Sequence, residues 1–560
     1  MAQAKLKLCQ ISLLSLVDIY THFIHQVEKQ NMAEAREVQN LSQELLTNQA
    51  GQRPSSCFKR ACRCLGTVLL DLLTLLLFIV ITPVVLAIMV VLCFIPALER
   101  LVFWRREYLD GVSATDLIAI PEAIIHGLIQ AKDRVEDPEK VWEYFSRIYL
   151  ENPAKEFRRW KERAVPRCWC WSYYTSKGVV VEKAHHFRVV TEHITQASLE
   201  NKVAEIEGQL MDVTRPLWEL YIFQNYTDET GKDCSVIMLR MHHCLADGFT
   251  GLRQVMQAAE PNKPPESSVS QARADRRQKL GCMSMLHGLL KTLRKIMLMP
   301  NDAPSSFKAK RLMKSTDPRH AVWHNVKGFS VQELKNIGKR LDNSTVNDLL
   351  MAALASSMKD YVRQTPNSRL PADINTVSWV SLSPLKHIYS DFDKVPFKWG
   401  NGTLGAVYLN LPIHTHQEGT ATDMLADLKD SMRDPALMLE AGIVTKLLAF
   451  MGWFPPCIMK VVFPALANKV SASVSNVPGP QFPMAWLGVP VRGMMFFVPP
   501  YGTISIFVTI ATWNGEISVG MGVDSSLMDK DSLKRICRDH FEEQLSQLKI
   551  AAGERHGDKV

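Results

Sequence analysis

The spacing of apolar residues beyond residue 110 predicts a chain in which short strands alternate with amphipathic helices. The run Val236–Met241 is typical of a strand. Apolar residues recur at i, i+3 and i+4 along 346–354, which predicts a helix that Ser344 or Thr345 caps. Two apolar runs flank the dipeptide Asn514–Gly515, and this pattern predicts a β-hairpin.

A polar linker divides this part of the chain into two halves of comparable size. Residues 261–279 are rich in Pro, Ser, Gln and Arg, a composition typical of a linker, and a short helical segment follows them. We therefore predict an α+β protein with an N-terminal half at 110–260, a linker and helical segment at 261–321, and a C-terminal half at 322–548.

A long apolar segment lies before the two halves. Residues 72–95 contain no charged side chain, and a helix of that length, about 36 Å, crosses a bilayer core of about 30 Å. We predict a transmembrane helix at 65–98, preceded by a helical and basic segment at 1–64. Pro83 is expected to kink this helix, and a re-entrant hairpin at that proline is the alternative.

Composition and charge exclude some classes of protein. Hydrophobic residues make up 47% and charged residues 22%, as in ordinary globular proteins, and the net charge of +8 suits an anionic membrane surface or a phosphate-bearing ligand. Basic residues form no dense stripe, so we expect no nucleic-acid partner. The 12 cysteines contain no C-x-x-C pair, so we expect no metal site. Cys57, Cys62 and Cys64 are either palmitoylated or unmodified thiols.

The segment His242–Gly248, HHCLADG, carries the clearest candidate chemistry. Neighbouring side chains of a strand point to opposite faces, which suits one catalytic and one structural histidine better than two ligands of one metal. Histidine is an effective general base near neutral pH because its ordinary pKa is about 6.5. Asp247 is expected to tie the following turn together, and Gly248 to supply the backbone freedom that a tight turn needs.

Five motifs in a fixed order resemble the wax ester synthase/diacylglycerol acyltransferase family, within the chloramphenicol-acetyltransferase-like superfamily. HHCLADGFTG at 242–251 resembles the family's active-site motif. The other four are Pro216-Leu217-Trp218, the helix start at 346–350 with Asn347 and Asp348, Gly400-Asn401, and the loop at 475–480 with Ser475 and Asn476. The likeness covers about residues 110–545. The segment 378–383 departs from the family pattern, because it lacks the family's proline and arginine.

The resemblance implies two chloramphenicol-acetyltransferase-like halves around a central tunnel. It implies transfer of a fatty acyl group from acyl-CoA, a co-substrate rather than a cofactor, to a long-chain alcohol or to diacylglycerol. His243 is then the general base, next to His242 and Gly248, and Asp247 is a structural support. The implied substrate-binding residues are Pro216, Leu217, Trp218, Asn347, Asp348, Ser475 and Asn476. For Pro216, Leu217, Trp218, Asn347 and Asp348 the alternative is a purely structural role in a strand entry or a helix start. For the loop that contains Ser475 and Asn476 the alternative is a rigid turn.

Two other functions are compatible with the same sequence. One is a lipid-binding protein that keeps the acyltransferase fold without turnover, and the other is an acyltransferase for an amine or a carrier-bound acceptor. The predicted membrane segment favours a lipid acceptor and a bilayer as partner. We expect a single-pass protein of the endoplasmic reticulum, with the plasma membrane as a second location, and a catalytic half that faces the cytosol because acyl-CoA is a cytosolic metabolite.

Overall fold

The computed structural model describes most of the two predicted halves. It describes residues 123–167, 172–261, 282–299, 317–365, 373–382, 404–413, 420–433, 436–451, 456–498 and 502–557, and also 76, 80, 87, 98, 101–103, 106–110, 113, 116–117, 301–302, 305–309, 311 and 399. The predicted segment 1–64 and linker residues 262–279 lie outside the described residues. The predicted transmembrane segment 65–98 is described at four scattered positions only. Of the helices that the structure describes, none has both the length and the apolar character needed to cross a bilayer.

The helices are distributed over both halves. In chain order they are α1 Pro138–Phe145, α2 Lys183–His186, α3 Gln196–Glu207, α4 Gly248–Gln257, α5 Cys282–Leu298, α6 Val331–Arg340, α7 Val346–Gln364, α8 Ala421–Met432, α9 Ala436–Met451, α10 Pro456–Ala467, α11 Lys530–Lys534 and α12 Phe541–Gly557. A 3-10 helix covers Lys155–Lys161, and two short π-helical turns cover Ser146–Leu150 and Arg535–His540.

The described strands form three sheets. In chain order they are β1 Glu107–Tyr108, β2 Ile124–Ala131, β3 Arg163–Val165, β4 Tyr173–Thr175, β5 Phe187–Thr195, β6 Trp218–Thr227, β7 Asp233–His242, β8 Ala259–Glu260, β9 Arg319–Asn325, β10 Ile374–Ser381, β11 Leu404–Leu411, β12 Ala472–Pro478, β13 Ala485–Trp486, β14 Val489–Phe497, β15 Ile506–Trp513 and β16 Glu516–Asp524. The seven-stranded sheet has the order β5-β6-β7-β2-β14-β13-β8 and the six-stranded sheet the order β11-β10-β12-β15-β16-β9, while β1-β4-β3 form a small third sheet.

The two halves are not separate in the sheets. Strands β13 and β14 come from the C-terminal half, yet β14 pairs antiparallel with β2, placing Val491 opposite Ala131 and Phe497 opposite His126. Strand β2 pairs on its other side with β7, placing Ile124 opposite His242. The seven-stranded sheet is therefore complete only when a hairpin from the C-terminal half occupies its place beside β2.

Burial on both faces explains why the central strands are almost continuously apolar. Strands β15 and β16 are buried at nearly every position, and β7 is buried from Cys234 to His242. A strand covered on both faces needs apolar side chains in both directions, so strict alternation is lost. The predicted alternation of strands and helices is confirmed as a mixed α/β fold.

Three local predictions are confirmed. The apolar run Val236–Met241 lies within β7, and the helix predicted at 346–354 is the first part of α7. Thr345 is its N-cap, because the Thr345 hydroxyl accepts a hydrogen bond from the Asp348 amide while the Asp348 carboxylate accepts one from the Thr345 amide. The hairpin β15–β16 turns at Asn514–Gly515, where both residues have positive φ.

Candidate active site

The turn that follows β7 is fixed by backbone hydrogen bonds from two neighbouring segments. The amide of His242 donates to the carbonyl of Leu217 at 3.0 Å, and the amide of His243 donates to the carbonyl of Ala123 at 2.7 Å. The amide of Leu245 then closes the turn on the carbonyl of His242 at 3.0 Å. The two histidines are thus held by the entries to β6 and β2, which flank the turn.

His242 and His243 have different environments, as the strand geometry predicted. The side chain of His242 is buried, and its Nδ1 accepts a hydrogen bond from the amide of Cys244 at 3.1 Å. This bond ties the imidazole of His242 to the turn itself. The side chain of His243 points into a cavity. The contacts of His242 are those of a residue that shapes the turn.

Two side chains hold the turn from outside. The hydroxyl of Tyr174 donates to the carbonyl of Cys244 at 2.7 Å, and the guanidinium of Arg159 donates to the carbonyl of Leu245 at 3.1 Å. Both carbonyls are buried, so each needs a partner to avoid the cost of an unsatisfied polar group. Neither contact could be predicted from local sequence, because Tyr174 lies 70 residues from Cys244 and Arg159 lies 86 residues from Leu245 along the chain.

Asp247 holds the start of helix α4. Its carboxylate accepts a hydrogen bond from the amide of Thr250 at 2.8 Å, which makes Asp247 the N-cap of the helix. The supporting role of Asp247 in catalysis stays a prediction. The reason given for Gly248 was wrong, since Gly248 is the first residue of α4 and has no positive φ. A Cβ at Gly248 would meet no atom within 4 Å, so the space beside this glycine, on the wall of the cavity, is open.

His243 is paired with a carboxylate that the sequence analysis missed. The Nδ1 of His243 lies 2.8 Å from Oδ2 of Asp116, and Asp116 is 7% exposed. Asp116 lies 127 residues earlier in the chain, on the segment that leads into β2. A neutral imidazole that donates its Nδ1 proton to this carboxylate presents Nε2 as its basic nitrogen.

The surroundings of His243 raise its pKa above the ordinary value of 6.5. Burial alone lowers the pKa of this imidazole, but the charge of Asp116 and its hydrogen bond raise it by more, with smaller contributions from Asp247 and Asp110. His243 is therefore a stronger base than a free histidine. The same three carboxylates stabilise the imidazolium that forms once the base has accepted a proton.

His243 opens onto a large cavity that we call the His243 cavity. It encloses about 1400 Å³, including the part open to solvent. The C-terminal half supplies most of its wall, which is largely apolar. The residues lining it are Asp116, Ala123, Ile125, His243, Asp247, Gly248, Val377, Trp379, Leu404, Ala406, Tyr408, Val444, Thr445, Leu448, Leu466, Ala467, Val470, Ser475, Val477, Phe496, Val498, Ile504 and Phe507. A cavity of this chemistry suits a lipid.

Cys244 is poorly suited to act as a nucleophile. Its side chain is fully buried, and burial raises the pKa of its thiol far above the ordinary value. The thiolate is the reactive form of cysteine, so this thiol is inert at neutral pH. The histidine beside it is the group in a position to act on a substrate in the cavity.

Of the predicted residues in the C-terminal half, the structure places Ser475 on the cavity. Asn476 and Asn347 instead bond to one another, with Nδ2 of Asn476 donating to Oδ1 of Asn347 at 2.7 Å. Asp348 belongs to the capping box of α7 and is buried. Asn347, Asp348 and Asn476 are absent from the wall of the His243 cavity. Contacts of these three residues with a substrate remain predictions.

The motif Pro216-Leu217-Trp218 lies behind the histidine turn. Leu217 supplies the carbonyl that accepts from the amide of His242. Trp218 is fully buried, donates from Nε1 to the carbonyl of Trp160 at 2.9 Å, and stacks on His186 with ring centroids 4.3 Å apart. Pro216, Leu217 and Trp218 do not line the His243 cavity. The contacts seen are those of a support for the turn.

The described residues contain no group of three or more His, Cys, Asp or Glu side chains that would hold a metal ion. The polar groups that the described site offers include the His243 imidazole, its carboxylate partner Asp116 and the Ser475 hydroxyl. A histidine held in this way can take a proton from a bound hydroxyl.

Two domain models of one protein family match this chain. The wax ester synthase/diacylglycerol acyltransferase catalytic domain matches residues 179–349, and the C-terminal domain of the same family matches residues 399–549. The two matches together span more than half of the chain, in the order found in the family. These matches, with the fold and the site, define an acyltransferase. The chain belongs to the wax ester synthase/diacylglycerol acyltransferase family.

Individual relatives agree with this assignment. Wax ester synthase/diacylglycerol acyltransferase 9 of Arabidopsis thaliana is 22% identical over 405 residues, which cover 65% of this chain and 79% of the relative. A Mycobacterium tuberculosis protein whose name describes it as a diacylglycerol O-acyltransferase is 22% identical over 403 residues. These residues cover 67% of this chain and 77% of the relative. The wax ester synthase/diacylglycerol acyltransferase of Marinobacter aquaeolei VT8 matches in fold, with a TM-score of 0.54, 17% identity, and coverage of 80% of this chain and 100% of that chain.

Proposed function

We propose that this protein transfers a fatty acyl group from acyl-CoA to the hydroxyl of a lipid alcohol. The acceptor is a long-chain alcohol, which gives a wax ester, or a diacylglycerol, which gives a triacylglycerol. The observation that carries this proposal is the Asp116–His243 pair at the wall of a large apolar cavity. That arrangement supplies a base where a lipid hydroxyl has room to bind.

The first step is removal of a proton from the acceptor hydroxyl. With Nδ1 of His243 held by Asp116, Nε2 is the nitrogen that accepts this proton. The resulting imidazolium is stabilised by the adjacent carboxylate, as the raised pKa of His243 reflects. Asp116 thus also fixes the orientation and the tautomer of the base.

The second step is attack of the acceptor oxygen on the thioester carbonyl. A new C–O bond forms, and the carbonyl oxygen acquires the negative charge of a tetrahedral intermediate. The hydroxyl of Ser475, on the wall of the same cavity, is our candidate donor to that oxygen. The C–S bond then breaks, and the CoA sulfur takes the proton held by His243. The base is restored, and the products are an ester and free CoA.

The chemistry of the cavity wall supports a lipid acceptor over an amine or a carrier-bound acceptor. Most of the wall residues contributed by α9 and α10 are apolar, among them Val444, Leu448 and Leu466. A carrier-bound amine would bury polar groups against these apolar side chains, which offer no hydrogen-bond partner, and such burial is costly. The relatives named for diacylglycerol or wax ester synthesis support the same choice.

The protein acts at a membrane under this proposal, as a single-pass protein of the endoplasmic reticulum whose catalytic half faces the cytosol. Support comes from residues 72–95, which carry no charge, and from the large apolar side chains of Leu76, Val80 and Leu98, each more than half exposed. Resistance to alkaline carbonate extraction tests the anchor, and protease added to sealed microsomes tests the side. Release of the protein by carbonate would refute the membrane anchor. Protection of the catalytic half from protease would refute its cytosolic side.

The central test is ester formation by the full-length protein in membranes. Labelled palmitoyl-CoA is supplied with hexadecanol or with dioleoylglycerol, and free CoA and labelled ester are measured together. We expect the wild type to form free CoA and labelled ester in equal amounts, and His243→Ala to form neither. His193→Ala is the matched control, because this exposed histidine lies on β5, away from the cavity. Acyl-CoA binding without ester in the wild type would favour the lipid-binding function instead.

A further inference from the structure

A second cavity adjoins the His243 cavity. We call it the inner cavity, and it encloses about 750 Å³, including the part open to solvent. It shares five wall residues with the His243 cavity, namely Ile125, Asp247, Gly248, Val477 and Phe496. The inner cavity is therefore adjacent to the cavity of the catalytic histidine, and the start of α4 contributes to the walls of both.

The wall of the inner cavity is almost wholly hydrocarbon and thioether. It runs along β2, one face of α4 and strand β14 with Met494 and Met495. Asp247 is its one charged residue, and the Asp247 carboxylate already caps α4. A polar ligand group would find few partners there, whereas flexible methionine side chains adapt well to an alkyl chain. The compartment is thus chemically matched to hydrocarbon alone.

This difference between the compartments separates the two substrates. The hydroxyls of Tyr408 and Ser475 line the His243 cavity and can donate to the ester carbonyls of a diacylglycerol. Beyond its thioester, the fatty acyl group has no polar atom. We propose that the inner cavity binds the acyl chain of the donor, and that Gly251 and Gly127 set the longest chain it accepts. This inference rests on the proposed acyl transfer and identifies where its donor lies.

Gly251 lies on the face of α4 that forms the cavity wall. Gly248, Gly251, Leu252 and Val255 all line the inner cavity, with the i, i+3, i+4 and i+7 spacing of one helix face. Val255 lies about 10 Å along the helix from Gly248, at about 1.5 Å per residue. A glycine inside a helix is less favourable than alanine, so Gly251 gives up helix stability and leaves space partway down the cavity.

The backbone around both glycines has room for a side chain. A Cβ at Gly251 would lie 3.7 Å from Sδ of Met241, and a Cβ at Gly127 would lie 3.8 Å from the carbonyl oxygen of Leu239. These are ordinary van der Waals distances, and neither glycine has a positive φ. Larger side chains at either position are therefore expected to occupy the cavity without disturbing the fold.

The experiment replaces Gly251 by alanine and by leucine in the full-length protein and measures kcat/KM for a series of acyl-CoA donors from four to eighteen carbons, with one fixed alcohol. Gly251→Leu is expected to lower the ratio of kcat/KM for palmitoyl-CoA to kcat/KM for butyryl-CoA by roughly tenfold to a hundredfold, because only the long chain has to pass the added side chain. Gly251→Ala is expected to shorten the longest accepted acyl chain by less than Gly251→Leu does. Gly127→Val adds a side chain to the part of the cavity wall that β2 forms, and it is expected to shorten the longest accepted acyl chain in the same way.

Gly553→Leu is the matched control, because Gly553 is an exposed glycine in helix α12 where a Cβ would meet no atom within 4 Å. A Gly251→Leu enzyme that loses activity equally with every donor, or whose alcohol-length profile changes instead of its donor profile, would overturn the assignment. If the wild type forms no ester at all, the proposed function fails. Calorimetric binding of the same acyl-CoA series to wild type and Gly251→Leu then still decides whether the inner cavity measures chain length.

Discussion

The two halves of the molecule contribute unequally to the site. The N-terminal half supplies its imidazole and its carboxylates, namely His243, Asp116 and Asp247. The C-terminal half supplies most of the wall, including Val444 and Leu448 on α9. The difference indicates that proton transfer and acceptor selectivity are separable here. Substitutions of the catalytic groups in the first half should change the rate for every substrate, whereas substitutions in the apolar wall of the second should change which acceptors are used.

The largest effect is expected at the base. His243→Ala should lower kcat/KM by about 10²–10⁴-fold for every donor and acceptor, because no other group in the site replaces the imidazole. The melting temperature should change little, since the turn is held by backbone atoms and by His242. Ester formation and thermal unfolding are measured together. A variant that keeps most of its turnover would show that the base lies elsewhere.

A smaller effect is expected at the carboxylate behind the base. Asp116→Asn should lower kcat/KM by roughly tenfold to a hundredfold, because the amide still bonds to Nδ1 of His243 but carries no charge. The charge of Asp116 raises the pKa of His243, so its removal lowers that pKa. The imidazole then loses its proton at lower pH, and the acidic limb of the kcat/KM profile moves to lower pH.

The pH profile separates this role from a merely structural one. A misfolded or loosened site would lose activity at every pH without moving the limb. Asp116→Glu, which restores the charge, should return the limb towards its wild-type position even if the rate is only partly recovered. A limb at the wild-type pH in Asp116→Asn would contradict the assignment of Asp116.

The wall of the C-terminal half should respond differently. Leu448→Phe adds bulk to the His243 cavity and should change the ratio of hexadecanol to dioleoylglycerol use by about tenfold. The acidic limb of the pH profile should stay in place because no titrating group is altered. An equal loss with both acceptors would break the proposed division between the halves.

The smallest effect is expected at the helix caps, which allow a matched comparison. Asp247→Ala removes the N-cap of α4 and should lower the free energy of unfolding by about 1 kcal/mol. Asp529→Ala removes the equivalent N-cap of α11, where the carboxylate accepts from the amide of Ser532 at 2.8 Å. Both variants should lose similar stability in a thermal melt. Only Asp247→Ala should also lose activity, by about threefold to tenfold, because α4 begins at the site.

The sequence was informative where the determinants are local. The hairpin at Asn514–Gly515 and the cap at Thr345 follow from turn and capping chemistry within a few residues. The turn at His242–Gly248 was recognised for the same reason. The family resemblance, carried by motifs of this kind, is confirmed, and so is the acyltransferase class.

Interactions between distant segments were not accessible in this way. Asp116 has no local feature that separates it from other aspartates, and its partner His243 lies 127 residues further along the chain. The pairing of Asn347 with Asn476 is equally non-local, so two motif residues expected at the substrate instead bond each other. The insertion of β14 beside β2 joins halves that the polar linker had suggested were separate.

That insertion has a consequence for synthesis on the ribosome. Strand β2, which is apolar along most of its length, needs β14 as its second neighbour, and Ala131 must wait for Val491 to be made. At about 5–20 residues per second, the wait is roughly 20–70 seconds. During that time the nascent N-terminal half exposes the unpaired edge of β2, and unpaired strand edges promote aggregation. Demand for chaperones is therefore expected to last through translation of most of the C-terminal half, until β14 is made, and chains truncated after the linker should be insoluble.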